Sequence, residues 1–177
     1  MKRSSFVMLS IAVLLFSHDP SGAQMSPGPV GPHEALDGLD TRRPLPLVPM
    51  MADHQKQAMR DHLAAVQEIV AAALASDFPA VERAAGRIGY SNQMNQMCTQ
   101  MGAGAPGFTE QALNFHHTAD TISVAAQQRD RDGVLRALSE TLKTCTGCHA
   151  TWKQQVVDDT AWSRITGGEG ARSPATP

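Results

Sequence analysis

The sequence predicts an all-α fold, an antiparallel up-down four-helix bundle. Three observations carry that expectation. The central part of the chain, residues 47–160, is rich in alanine and poor in proline. Apolar residues recur there at three- and four-residue steps, the period of a helix face. No alternating β-branched run appears that would favour a strand. Short joints between the segments make neighbouring helices antiparallel. Each stripe alone buries too little surface, and four packed together make one core.

The elements follow in order. Pro49 suits the first turn of a first helix, whose face carries Met59, Leu63, Val66, Val70 and Ala73. Asp77 offers an N-cap for a second long helix, "FPAVERAAGRIGYSNQMNQMCTQM", with Pro79 near its first turn. Its stripe is Val81, Ala84, Ala85, Ile88, Met94, Met97, Cys98 and Met101, which reads as core. "GAGAPG" breaks the chain, and Thr109 with Glu110 opens a third helix bearing Ala112, Phe115, His116, Ala119, Ile122 and Ala126. The charged turn "RDRDG" leads to a fourth, whose face is Leu135, Leu138, Thr141, Leu142, Cys145, His149, Trp152 and Val156. Outside these, residues 24–46 form a Pro/Gly-rich arm with no expected regular element, and residues 161–177 read as an unstructured tail.

The first 23 residues have the three-part layout of a secretory signal: Lys2 and Arg3, an apolar run from Phe6 to Phe16, then Ser21, Gly22 and Ala23. That run is too short for the ~20 residues that span a bilayer. The expectation is cleavage after Ala23, export to the periplasm, and no stable membrane insertion afterwards. Without Lys2, Arg3 and Asp19 the chain keeps 13 basic and 16 acidic side chains. With no basic stripe, nucleic acid is not an expected partner. Three cysteines do not suit a disulfide framework, which wants an even number.

The chemistry-bearing motif is "CTGCHATWK" near the end of the last helix. At about 100° per residue, with Cys145 at zero, Cys148 lies near −60° and His149 near +40°. All three side chains point into one sector, as covalent attachment of a c-type haem requires. Two sulfurs reach two carbons along one porphyrin edge, and the imidazole comes up beneath the iron. Two other readings stay open. A zinc site needs two more ligands, with no second C-x-x-C or H-x-x-x-H nearby. A thioredoxin-like dithiol belongs at the start of a helix that follows a strand. No triad or paired carboxylates mark the chain as an enzyme.

Residues 47–157, with C-x-x-C-H in the last of four helices, resemble the class II c-type cytochromes, the cytochrome c-prime type. Trp152 takes the family's aromatic position, and Lys153 stands where arginine is common. The resemblance implies one covalent haem c per chain, bound by Cys145, Cys148 and Trp152, with His149 as the proximal iron ligand. Its distal residue comes from the first helix, where "HQKQAMRDHL" aligns Met59; that residue's place on the apolar stripe agrees. It implies a single-electron carrier with transient redox partner proteins, and leaves a homodimer through the first helices open. If Met59 is off the metal, a five-coordinate haem binding small gases such as NO or CO is the alternative. His62, about 60° round from Met59, is a rival ligand at the edge of the stripe. His116 faces inward, toward a propionate or a backbone carbonyl, and His117 faces the polar side.

Overall fold

The computed structural model of the chain describes residue 31 and residues 38–167. The expected signal sequence, most of the arm and residues 168–177 lie outside the described residues. The chain divides into two units, Met1–Asp40 and Thr41–Pro177. Of the first, the described residues include a turn at Gly38 and Leu39. The second is mainly helical with a small two-stranded sheet. Its elements are β1 (Arg43–Leu47), α1 (Pro49–Leu74), α2 (Phe78–Gly86), α3 (Asn92–Gly102), α4 (Phe108–Gln127), α5 (Arg131–Thr151), β2 (Trp152–Val156) and α6 (Asp159–Ile165).

Local chemistry explains the boundaries. α1 starts at Pro49 as expected, where a missing N–H costs nothing. Asp77 caps α2 by accepting from Ala80 N at 3.0 Å, Ser91 caps α3 through Met94 N at 3.1 Å, and Asp130 caps α5 through Gly133 N at 2.9 Å. The second long helix is corrected: it is two, α2 and α3, separated by residues 87–91. Gly89 lies against the Asp120 carboxylate, where an added Cβ would collide. That carboxylate also accepts from Tyr90 N at 3.1 Å, so α4 pins the turn that interrupts the helix. Gly86, Gly89 and the Ser91 cap are the sequence signals for this break.

Two further expectations are corrected. Arg43–Leu47, placed in or beside the structureless arm, is a strand, and Trp152–Val156, read as the end of the last helix, is its parallel partner. Pro44 and Pro46 alternate with Arg43, Leu45 and Leu47. Leu47 O accepts from Val157 N at 2.9 Å, so Leu47, Leu45 and Arg43 face β2. The prolines, lacking N–H donors, fall on the outer edge, where strands tolerate them. The beginning of the expected tail is helix α6, capped by Asp158, which accepts from Ala161 N at 2.7 Å. Its Trp162 is only 2 % exposed.

α4 packs mainly against α5 and α2, α2 also against α1, and α3 against α4, while α1 and α5 touch more lightly. The interior holds two apolar clusters. One joins Ala65, Ile69 and Ala73 of α1 to Val81, Ala85, Phe115, Ile122, Val134 and Leu138. The other gathers Leu45, Leu47, Met51, Phe108, Trp152 and Trp162 around the sheet. Gly104 lets α6 and β1 close over the joint before α4. A Cβ there would lie 2.9 Å from both Pro46 Cγ and Ile165 Cγ2.

Trp162 anchors the second cluster although its buried indole N–H has no acceptor among the described residues. Trp162→Ala should therefore cost about 3–5 kcal/mol in denaturant unfolding. Trp162→Phe should cost clearly less, because it removes an unpaired donor along with part of the ring.

Candidate functional site

Between the two clusters lies a cavity of about 430 Å³, walled by α1, α3, α4 and α5. That volume falls in the range of about 300–1,000 Å³ typical of cofactor and ligand sites. Phe115 from one cluster and Phe108 from the other both reach it. Cys145, Cys148 and His149 stand together on its α5 wall, and Met59, His62, Leu63 and Val66 are on its α1 wall. Trp152 is absent from the wall. It packs in the second cluster beside Cys148, and reaches the cavity through its Nε1, which donates to Gln111 Oε1 at 2.8 Å.

The α3 side chains need a correction. Met94 and Met97 are half-buried and line the cavity with Cys98 rather than packing in a core cluster; Met101 also lines it and packs against the second cluster. Seven sulfur side chains therefore face this one space: Met59, Met94, Met97, Met101, Cys98, Cys145 and Cys148. Helical periodicity marks a face as apolar without saying whether it meets protein or a void, so this was not legible beforehand.

Two polar wall groups, Gln55 and Gln111, are tied back to the sheet. Gln154 of β2 donates to Gln55 Oε1 and to Ala52 O at 3.2 Å. Arg43 lies 4.2 Å over the Trp152 ring and donates to Pro106 O at 2.7 Å. Arg42 donates to His149 O at 3.3 Å, placing a cation at the carbonyl end of α5, where the helix dipole favours it. None of these contacts had a sequence signal, because each depends on the unexpected strands.

The thiols are the opposite of activated. Burial pushes all three upward: Cys98 to about 11, helped by Cys148; Cys148, helped by Cys145; and Cys145, partly offset by hydrogen bonds to its own backbone and Thr144. A dithiol oxidoreductase needs a depressed thiol, commonly at a helix N-terminus, whereas this pair closes the C-terminal turns of α5. Among the described residues no group of three or more His, Cys, Asp and Glu side chains could hold a metal ion, so the zinc reading lacks its ligands. Two neutral-thiol sulfurs and an imidazole on one apolar wall do fit a covalently held haem.

The two inward histidines behave differently. His116 is 4 % exposed, and its Nδ1 donates to Ile88 O at 2.8 Å, the backbone partner anticipated for it. His62 stacks on Phe115 at 4.8 Å and meets His116 edge-on at 5.6 Å. Burial, then the neighbouring His116, pushes His62 down from 6.5 to about 4, with Asp61 pulling the other way. Burial also lowers His116, against its bond to Ile88. His117 stacks instead on Tyr90 at 4.3 Å.

Compared with family models, curated proteins and solved structures, the chain matches none. Among the described residues no helix is long and apolar enough to cross a membrane.

Two outcomes follow for the chain with nothing bound in the cavity. At neutral pH, Cys145 and Cys148 should react with iodoacetamide more slowly than a free cysteine, accelerating only above the ordinary thiol value of 9.0; stopped alkylation with mass spectrometry measures this. Stability should also fall as pH drops from about 6.5 to about 4. There the unfolded chain binds protons that the folded His62 refuses, and above that window the slope from this residue vanishes. Urea midpoints across the range test the sign, and His62→Gln should flatten the curve.

Proposed function

We propose that this chain is an exported monohaem c-type cytochrome, a single-electron carrier acting in the periplasm. In this reading α1, α2 with α3, α4 and α5 form an antiparallel up-down bundle around one haem c. The observation that carries it is the presence of Cys145, Cys148 and His149 on one wall of an apolar cavity of about 430 Å³. A zinc or dithiol site would use the same motif but finds, among the described residues, neither a ligand set nor an activated thiol.

Cys145 and Cys148 would hold the porphyrin edge as thioethers. Each S–H adds across one vinyl double bond, so attachment consumes no oxidant. Kept protonated by burial, the pair resists oxidation and stray metal capture beforehand. His149, exposed at the rim of the same wall, would hold the iron, its backbone carbonyl bonded by Arg42. Trp152 would act one layer back, supporting Cys148 and orienting Gln111. Haem bound there supplies an iron that takes up or releases one electron. The apolar walls exclude water from it, and redox partners would meet the exposed rim in small, transient interfaces. On the α1 wall of the same cavity stand Met59, the ligand that the resemblance implies, and His62. A second copy of the chain is a further partner in this reading, supported by Val70 and Leu74 of α1, which are 39 % and 77 % exposed.

The test is a pyridine haemochrome assay on the full chain, exported from a host that matures c-type cytochromes. The expected result is one haem per chain, retained through denaturing electrophoresis. Cys145→Ser with Cys148→Ser should reduce covalent haem to background. A chain that stays colourless, with both thiols alkylated after unfolding, would overturn the proposal.

A further inference from the structure

We propose that Arg60 is the carboxylate-binding residue of the cavity, its guanidinium pairing with a propionate of the haem. The proposal rests on the haem reading above and supplies the positive charge that the acidic edge of the macrocycle calls for.

The make-up of the wall comes first. Most of it is aliphatic, aromatic or sulfur-bearing surface, with a few amide, hydroxyl and imidazole groups. Among the described residues Arg60 is the one arginine or lysine on it, and no aspartate or glutamate joins it. A carboxylate that enters an apolar site without a partner carries a large desolvation cost. A wall with one cation and no anion therefore favours an occupant that is apolar over most of its surface and negative at one edge. Haem is such a molecule. Cys145 and Cys148 on α5 would take its vinyl side, and the propionates leave the porphyrin from the other side. Their partner then belongs to a different wall, and Arg60 stands on α1.

The guanidinium is also available. Arg60 Nη2 donates to Gln57 Oε1 at 2.8 Å, and Gln57 in turn donates to Asp61 Oδ1 at 3.0 Å. A neutral amide thus steadies the arginine, and among the described residues no carboxylate pairs with it. The side chain is exposed, so a carboxylate meeting it at the cavity mouth keeps part of its hydration. The other polar wall groups serve less well. The Trp152 indole can only donate, so it holds the oxygen of Gln111, and the amide nitrogen is the end left over. That nitrogen lies 3.8 Å from where a Cβ on Gly147 would stand, beside the attachment turn of α5. Gln55 is nearly buried and bonded by Gln154. His116 is committed to Ile88 O, and burial disfavours charge on His62. Only Arg60 offers a planar fork of charged donors, the shape that matches a carboxylate.

Isotope-edited infrared spectroscopy of the full, haem-bearing chain tests this. The chain is matured in cells fed 5-aminolaevulinate labelled with carbon-13 at its carboxyl, which marks only the propionate carboxylates of the haem. The reference is the haem peptide released by proteolysis, in which both propionates are hydrated. In the wild type one labelled carboxylate band should lie away from its position in that peptide, and Arg60→Gln should return it there. Arg60→Lys, which keeps the charge but loses the fork, should give an intermediate position. Arg83→Gln removes a cation from the groove between α1 and α2, off the cavity wall, and should leave the band where it is. Wild-type bands that coincide with those of the peptide overturn the proposal. So does a displaced band that Arg60→Gln leaves unmoved, or one that Arg83→Gln moves as far. If Arg60→Gln fails to fold or to take up haem, Arg60→Lys and the wild-type comparison with the peptide decide. All of these outcomes leave the haem reading standing, whereas a chain without covalent haem removes that reading and this proposal together.

Discussion

The pairing of β1 with β2 is the constraint on which the site depends. One residue, Val48, separates β1 from α1, and β2 begins where α5 ends. Joining these strands in parallel, Arg43 against Trp152 and Leu47 against Val156, ties the start of α1 to the end of α5. The two helices then need not pack tightly on each other. Their contact is light, and the space left beside it is the cavity. Without the strands, the start of α1 and the end of α5 would lose the pairing that holds them around the gap. Hydrophobic collapse would tend to close it.

The sheet also helps make the cavity lining mostly apolar. Gln55 and Gln111 are the amides on its walls, and both have their oxygens engaged by β2, through Gln154 and Trp152. Arg43 covers the outer face of that indole. What faces inward is then mostly thioether, thiol, aliphatic and aromatic surface. Such a lining raises each thiol's pKa, lowers that of His62, and favours a large flat apolar group over a hydrated ion.

Much of the helical content was legible because caps and periodicity are local. Pro49, Asp77 and the charged turn before Arg131 mark real boundaries. The α2–α3 break was also written locally, in Gly86, Gly89 and Ser91, but an unbroken apolar stripe outweighed those signals. The strands were not legible. Pro44 and Pro46 argue against a strand unless the partner edge is known, and that partner lies more than a hundred residues away. α6 was missed because its seven residues are too short for a periodic signal, although Asp158 and Trp162 could have prompted one. At the site, Cys145, Cys148 and His149 converge on the cavity as their spacing requires. The roles of Arg42, Gln111 and the α3 methionines depend on tertiary placement, which no spacing reveals.

The long reach of the sheet has a consequence for how the chain assembles. Arg42 and His149 lie 107 positions apart, so β1 is synthesised well before its partner strand. Helices form in about a microsecond, whereas closure over such a separation comes late. In the proposed reading, the segment around Cys145 and Cys148 would stay open to an attaching enzyme until the strands zip, and their pairing would be the latch that closes behind the finished modification.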